Sequence, residues 1–72
     1  MPDPEILAAF GKRVRALRLG KEWTQEQLAD KAGLNLGQIS RIERGVREVR
    51  LTTVLTLIVA LEVTPDDLLG DL

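Results

Sequence analysis

Apolar residues return at intervals of three and four along almost the whole chain, with polar residues between them. The first series is Ile6, Leu7, Phe10, Val14 and Leu17. Asp3-Pro4 ahead of it supplies an N-cap and a proline at the first helical position, and Gly20 offers a stop, which predicts a helix of roughly Pro4 to Leu19. Thr24, with Gln27 three residues on, is a capping box; Leu28, Ala29 and Ala32 form the buried side of a helix that Gly33 ends. Asn35 caps the next helix, with Ile39 and Ile42 inward and Gly45 at its close. Thr52 or Thr53 caps a fourth helix running to Leu61, and Thr64-Pro65 with Asp67 opens a short last one through Leu69. Nothing alternates with period two over a strand's length, and no repeat, low-complexity tract or linker interrupts the series. The pattern predicts an all-α fold, a compact five-helix domain spanning residues 1–72.

Composition narrows the chemistry. A domain of about 60 residues buries only about 60% of its unfolded surface. A 72-residue chain with 44% apolar content must therefore lay that content out efficiently or use a partner chain as cover. The absence of Cys, His and Tyr removes disulfides, thiolate metal sites and the commonest general acids and bases. The expectation is a binding protein and not an enzyme, with no metal and no cofactor. Asp66 and Asp67 are adjacent carboxylates, but at a helix start they read as dipole-favouring caps. The longest strongly apolar run, Val54 to Leu61, is eight residues, short of the ~20 that span a bilayer. The acidic N-terminus lacks the apolar region of a signal peptide, so a cytoplasmic protein with no membrane partner is expected.

The net charge of −1 conceals a division. All ten basic residues lie between Lys12 and Arg50 among five acidic ones, leaving +5 there, while Asp3 and Glu5 contribute −2 and Glu62, Asp66, Asp67 and Asp71 contribute −4. A split of this kind suits two solvated faces; it gains meaning when the basic stretch also carries a recognition element. The centre of the chain supplies one. With Gln25 as position one of a twenty-residue window, Leu28 is fourth, Ala29 fifth, Gly33 ninth, Leu34 tenth, Ile39 fifteenth and Ile42 eighteenth. A small fifth residue lets the second helix cross closely, and a glycine at the ninth takes a tight left-handed turn. This is the spacing of a helix-turn-helix motif, about residues 24–44, which presents its second helix to a DNA major groove. The spacing by itself also fits an ordinary αα-hairpin.

The residues resemble those of lambda-repressor and Cro-type (XRE-like) helix-turn-helix domains. The likeness is densest in Trp23-Thr24-Gln25-Glu26-Gln27-Leu28-Ala29-Asp30-Lys31-Ala32-Gly33-Leu34 and in Ile39-Ser40-Arg41-Ile42-Glu43-Arg44-Gly45. It extends from Phe10-Gly11-Lys12-Arg13 to Val63-Thr64-Pro65-Asp66-Asp67-Leu68-Leu69. In size the chain is similar to the controller proteins of restriction–modification operons and to some antitoxins. The resemblance implies a transcriptional regulator that binds a palindromic operator in double-stranded DNA, repressor or activator, and controls its own operon. RNA polymerase is then a partner for activation. The alternatives are an antitoxin, whose toxin partner would meet the fourth helix, and an adaptor that keeps the fold without binding DNA.

Residues at the exposed start of the recognition helix reach base edges. Here they are Asn35, Leu36, Gly37, Gln38 and Arg41; the resemblance implies base reading at positions 36, 37 and 41. Leu36 offers only a thymine methyl contact and Gly37 no side chain, so readout falls on Arg41, Gln38 and Asn35. Thr24 and Gln25, at a helix N-terminus, are expected to clamp phosphate, as are Arg44, Arg47 and Arg50 beyond the recognition helix, and the resemblance implies that Gln25 also braces that helix. Trp23 reads as a hydrophobic staple, and Lys21 and Lys31 as solubilising. The resemblance implies an ion pair between Arg18 and Glu43 and notes Glu22 and Glu62 where glycine is usual, and Val49 where proline is usual. A single recognition helix covers few base pairs, so two half-sites are read by a two-fold dimer. The fourth helix is apolar nearly all round, which predicts a homodimer through Leu55, Val59, Val63, Leu68 and Leu69.

Overall fold

The computed structural model describes residues 3–72, and among these the regular structure is entirely helical: α1 (Pro4–Gly20), α2 (Gln25–Ala32), α3 (Leu36–Arg44), α4 (Leu51–Leu61) and α5 (Pro65–Leu69). Helix α3 packs against α1 and α2, α4 against α2, and α5 against α1. Every helix contributes to a single core: Phe10 and Val14 from α1, Leu28, Ala29 and Ala32 from α2, Ile39 and Ile42 from α3, Leu57, Ile58 and Leu61 from α4, and Leu68 from α5. The three-and-four spacing of these residues makes each helix bury one stripe.

Local chemistry sets most boundaries. Asp3 accepts hydrogen bonds from the N–H groups of Glu5 and Ile6 at the start of α1. Thr24, Asn35 and Thr64 each form a complete capping box, with Gln27, Gln38 and Asp67 respectively. The N–H of Thr64, donating to its carboxylate, holds Asp67 below the ordinary carboxylate range. Gly33 closes α2 at φ 66°, and the Leu34 N–H donates to the Ala29 carbonyl at 2.9 Å, completing the turn into α3.

Three boundaries or placements differ from expectation. Gly20 does not stop α1: the helix includes it, and the left-handed residue of the reversal is Glu22, at φ 61°. The Arg18 carbonyl accepts from both Lys21 and Trp23 N–H, so the chain turns two residues later than the glycine suggested. Neither Thr52 nor Thr53 caps α4. The helix begins at Leu51 after an extended Arg50, because burial of Leu57, Ile58 and Leu61 and packing of Val54 extend its regular phase back to a Val54 N–H bond to the Arg50 carbonyl. Leu68 is fully buried against α1, so it belongs to the core and not to a dimer surface. Val63 is half-buried and packs on the same core.

The contact between α1 and α3 is unusually close. A Cβ on Gly11 would lie 2.6 Å from the Glu43 carbonyl oxygen and closer still to that of Ile42, so only glycine fits where the helices cross. Beside this crossing Arg18 and Glu43 are buried, with Arg18 Nε 2.6 Å from Glu43 Oε2 and Nη2 2.9 Å from Oε1. Arg18 Nη1 donates to the Trp23 carbonyl at 2.7 Å, and Gln25 Nε2 donates to Glu43 Oε1 at 3.2 Å. The Glu43 hydrogen bond holds the Arg18 guanidinium above its ordinary pKa. One planar fork thereby ties α1, the α1–α2 turn, α2 and α3 into one network.

Removing one member of a buried pair strands a charge, so Arg18→Met is expected to cost about 3 kcal/mol in urea denaturation. Arg18→Met with Glu43→Leu should recover part of that loss, since no charge then remains buried. Glu22 and Glu62 both occupy the left-handed region, at φ 61° and 57°. Glycine at either position is expected to stabilise by about 1 kcal/mol, read as a rise in thermal midpoint.

Candidate nucleic-acid interface

The helix-turn-helix unit is α2, the Gly33 turn and α3. Its outer surface differs sharply from its inner one. Ile39, Ile42 and Glu43 are buried, whereas Asn35, Leu36 and Arg44 are exposed and Gly37, Gln38 and Arg41 are half-buried. The reading end of α3 is therefore held rigidly from behind by core and ion pair while its front remains open.

Asn35 and Gln38 are committed to each other. Gln38 N–H donates to Asn35 Oδ1 at 2.8 Å, and Asn35 N–H donates to Gln38 Oε1 at 3.0 Å. A bidentate amide contact with adenine needs the amide oxygen as acceptor and the nitrogen as donor together. Each amide oxygen thus accepts one backbone N–H, which fixes the two side chains over the helix start and leaves each oxygen one further lone pair. Leu36 stands 48% exposed, an apolar group at the helix start that would suit a methyl contact. Arg41 lies folded back over Gly37, whose absent side chain leaves room for it.

Beyond α3 the chain turns at Gly45 in a left-handed conformation, φ 68°, where a Cβ would also collide with the α1 backbone at Ala8. The segment that follows brings Arg47 and Arg50 beside α3. Gln38, Arg41, Ile42, Arg47, Glu48, Val49, Arg50 and Thr53 line one open depression of about 300 Å³. Three arginines against one glutamate give it a positive character. The first turn of α4 adjoins it and has no side-chain cap, so backbone N–H groups there remain available to an anion.

The other expected phosphate contacts lie apart from this depression. Thr24 is exposed at the α2 N-terminus, with its hydroxyl accepting the Gln27 N–H. Gln25 is half-buried and its amide donates to Glu43, so it braces α3 from the side. Arg44 is exposed, its Nε donating to the Ser40 carbonyl at 3.3 Å.

Several features escaped the sequence reading. Lys21 and Lys31 place their ammonium groups 5.4 and 4.7 Å from the centre of the Trp23 ring, where cations are held by the ring face. Lys21, two residues before the tryptophan, gave little sign of this, and Lys31 arrives from the far end of α2. On α4, Leu51 is 71% exposed and continues a ridge through Leu55 and Val59, at 53% and 77%. The four-residue spacing of these three was the available signal. Leu69 and Leu72 are also exposed, at 41% and 38%. No helix is long and apolar enough to cross a membrane, and the described residues contain no cluster of ligating side chains suited to a metal.

Known proteins share this arrangement. The chain is 46% identical over 65 residues to the control protein C.BamHI of Bacillus amyloliquefaciens, covering 89% of this chain and 80% of that one. Among solved structures, the restriction-modification controller protein C.AhdI from Aeromonas hydrophila superposes with a TM-score of 0.86 at 40% identity, over 90% of this chain and 94% of its own. The hypothetical transcription factor NHTF from Neisseria gives 0.84 at 31% identity, over 96% and 80%. The helix-turn-helix family matches residues 14–68, and with most of its length inside that match the chain belongs to the helix-turn-helix family.

Proposed function

We propose that this chain, a DNA-binding transcriptional regulator of the restriction–modification controller type, binds a palindromic operator as a homodimer and controls its own operon. The observation that carries the reading is the open front of α3, with Arg41 standing between the base-facing end and the depression shared with Arg47 and Arg50. Its likeness to C.BamHI and C.AhdI supports the controller assignment.

In this mechanism α3 enters the major groove by its N-terminal end, Arg41 donates bidentately to guanine O6 and N7, and Leu36 meets a thymine methyl. Arg47, Arg50 and the uncapped start of α4 hold one phosphate strand, with Thr24 and Gln25 at the α2 N-terminus holding another. Occupancy of a promoter, or of a site beside it, then alters transcription. The dimer forms through the ridge of Leu51, Leu55 and Val59, with Leu69 and Leu72 available to extend it. These large side chains are exposed in the single chain, and a second copy would remove them from water.

Binding to duplex from upstream of the chain's own gene should fall steeply with salt. Arg41→Ala is expected to lower its preference for that duplex over random DNA by about tenfold or more. Arg47→Ala should weaken both equally and reduce the salt slope by about one. Absence of any salt-dependent DNA binding by the native protein would sink the reading. Val59→Asp should halve the molar mass in sedimentation equilibrium while leaving the helical circular dichroism intact; a native protein that is already monomeric at high concentration removes the dimer.

A further inference from the structure

Residues four apart on a helix stack along one face, and helical side chains lean toward the N-terminus. Gly37 is therefore the residue beneath the Arg41 side chain. A Cβ built on Gly37 would stand 3.3 Å from Arg41 Nη1, 3.7 Å from Nη2 and 3.4 Å from Asn35 Oδ1. The guanidinium thus rests over the first turn of α3, in space that a larger side chain at position 37 would claim.

Two features of this arrangement work against stability. Glycine inside a helix is less favourable than alanine, through the greater backbone freedom it loses. A cation over the first turn also faces the positive end of the helix dipole. Among the described residues the ion pair is that of Arg18 with Glu43, and no carboxylate lies within salt-bridge distance of Arg41. When local rules are broken together in this way, the site is expected to serve function. An unpaired guanidinium held half-buried at the reading end of α3 is positioned for an acceptor supplied from outside the chain.

We propose that Gly37 is a positioning residue that determines specificity: its missing side chain is the berth that holds the Arg41 guanidinium over the first turn of α3, aimed at one guanine of the operator. This rests on the proposed role of α3 as the reading helix. It assigns a purpose to a position that has no side chain with which to read. Asn35 and Gln38 are held in place by their capping box, and the Arg41 guanidinium beside them offers the forked N–H donors that match guanine O6 and N7. Holding the guanidinium in place before binding reduces the side-chain freedom lost on contact. A larger residue at position 37 displaces it and changes which base is preferred at that one position.

The test selects binding sites from a randomised duplex library with the native protein, Gly37→Ala, Gly37→Gln, Arg41→Ala and the Gly37→Gln/Arg41→Ala double variant. The native protein should enrich a guanine at a position where Arg41→Ala shows no preference. Gly37→Gln should lose about tenfold of that preference while other positions keep theirs, and Gly37→Ala should lose less. The double variant should match Arg41→Ala, because the glycine acts through the arginine. Both single Gly37 variants should melt at or above the native temperature, since a better helix former replaces glycine, which separates the effect from unfolding. Retention of the guanine preference by Gly37→Gln overturns the proposal. So does an affinity for duplex in the double variant clearly below that of Arg41→Ala, which would mean that glycine provides clearance from DNA instead. A native protein that binds duplex but enriches no sequence also overturns it while leaving DNA binding in place; one that binds no duplex removes the proposed function itself.

Discussion

The buried fork between Arg18 and Glu43 is the interaction on which the geometry of this small domain depends. Two charges withdrawn from water need hydrogen-bond partners, and here each buried nitrogen and oxygen of the pair has one: the guanidinium meets both carboxylate oxygens and the Trp23 carbonyl, while Gln25 supplies a further donor. Because these partners come from α1, the following turn, α2 and α3, satisfying the network fixes their relative placement. The hydrogen bonds of the pair are directional, and they hold α3 in a defined orientation against α1.

Close approach complements that selectivity. The crossing at Gly11 puts backbone against backbone, and Gly45 brings the chain back against Ala8 immediately after α3. Both ends of the C-terminal half of α3 are consequently pressed onto α1, and its N-terminal half projects. The segment leaving Gly45 then carries Arg47 and Arg50 back alongside Arg41, which turns basic residues scattered over ten positions into one depression. A net charge of −1 is no obstacle to an anionic partner when the positive residues are gathered in this way.

Among the described residues eleven apolar side chains fill the core, and the five helices leave one side of α4 uncovered. The ridge of Leu51, Leu55 and Val59 is what is left over, and in a two-fold regulator it is also where joining two copies would place paired reading helices at a fixed separation. Stability and half-site spacing would then depend on the same contact.

Helix number, type and most boundaries were legible along the chain because they depend on neighbours in sequence. Capping boxes at Thr24, Asn35 and Thr64 and the Gly33 turn involve residues within a few positions of each other, and the period of Phe10, Val14, Leu28, Ile39 and Leu61 marks the inward stripes. The candidate site was legible as a set of residue types at the spacing of a helix-turn-helix. What the pattern did not contain was how distant segments meet. Leu68 and Leu69 are equally apolar neighbours, yet packing of α5 on α1 buries the first and exposes the second. Likewise Lys31 covers Trp23 and Arg41 folds over Gly37 through side-chain directions that arise only when the helices are assembled. Local hydrogen bonding and periodicity are written in short-range order; burial, cross-helix pairing and the aim of a side chain are decided by which surfaces the folded chain brings into contact.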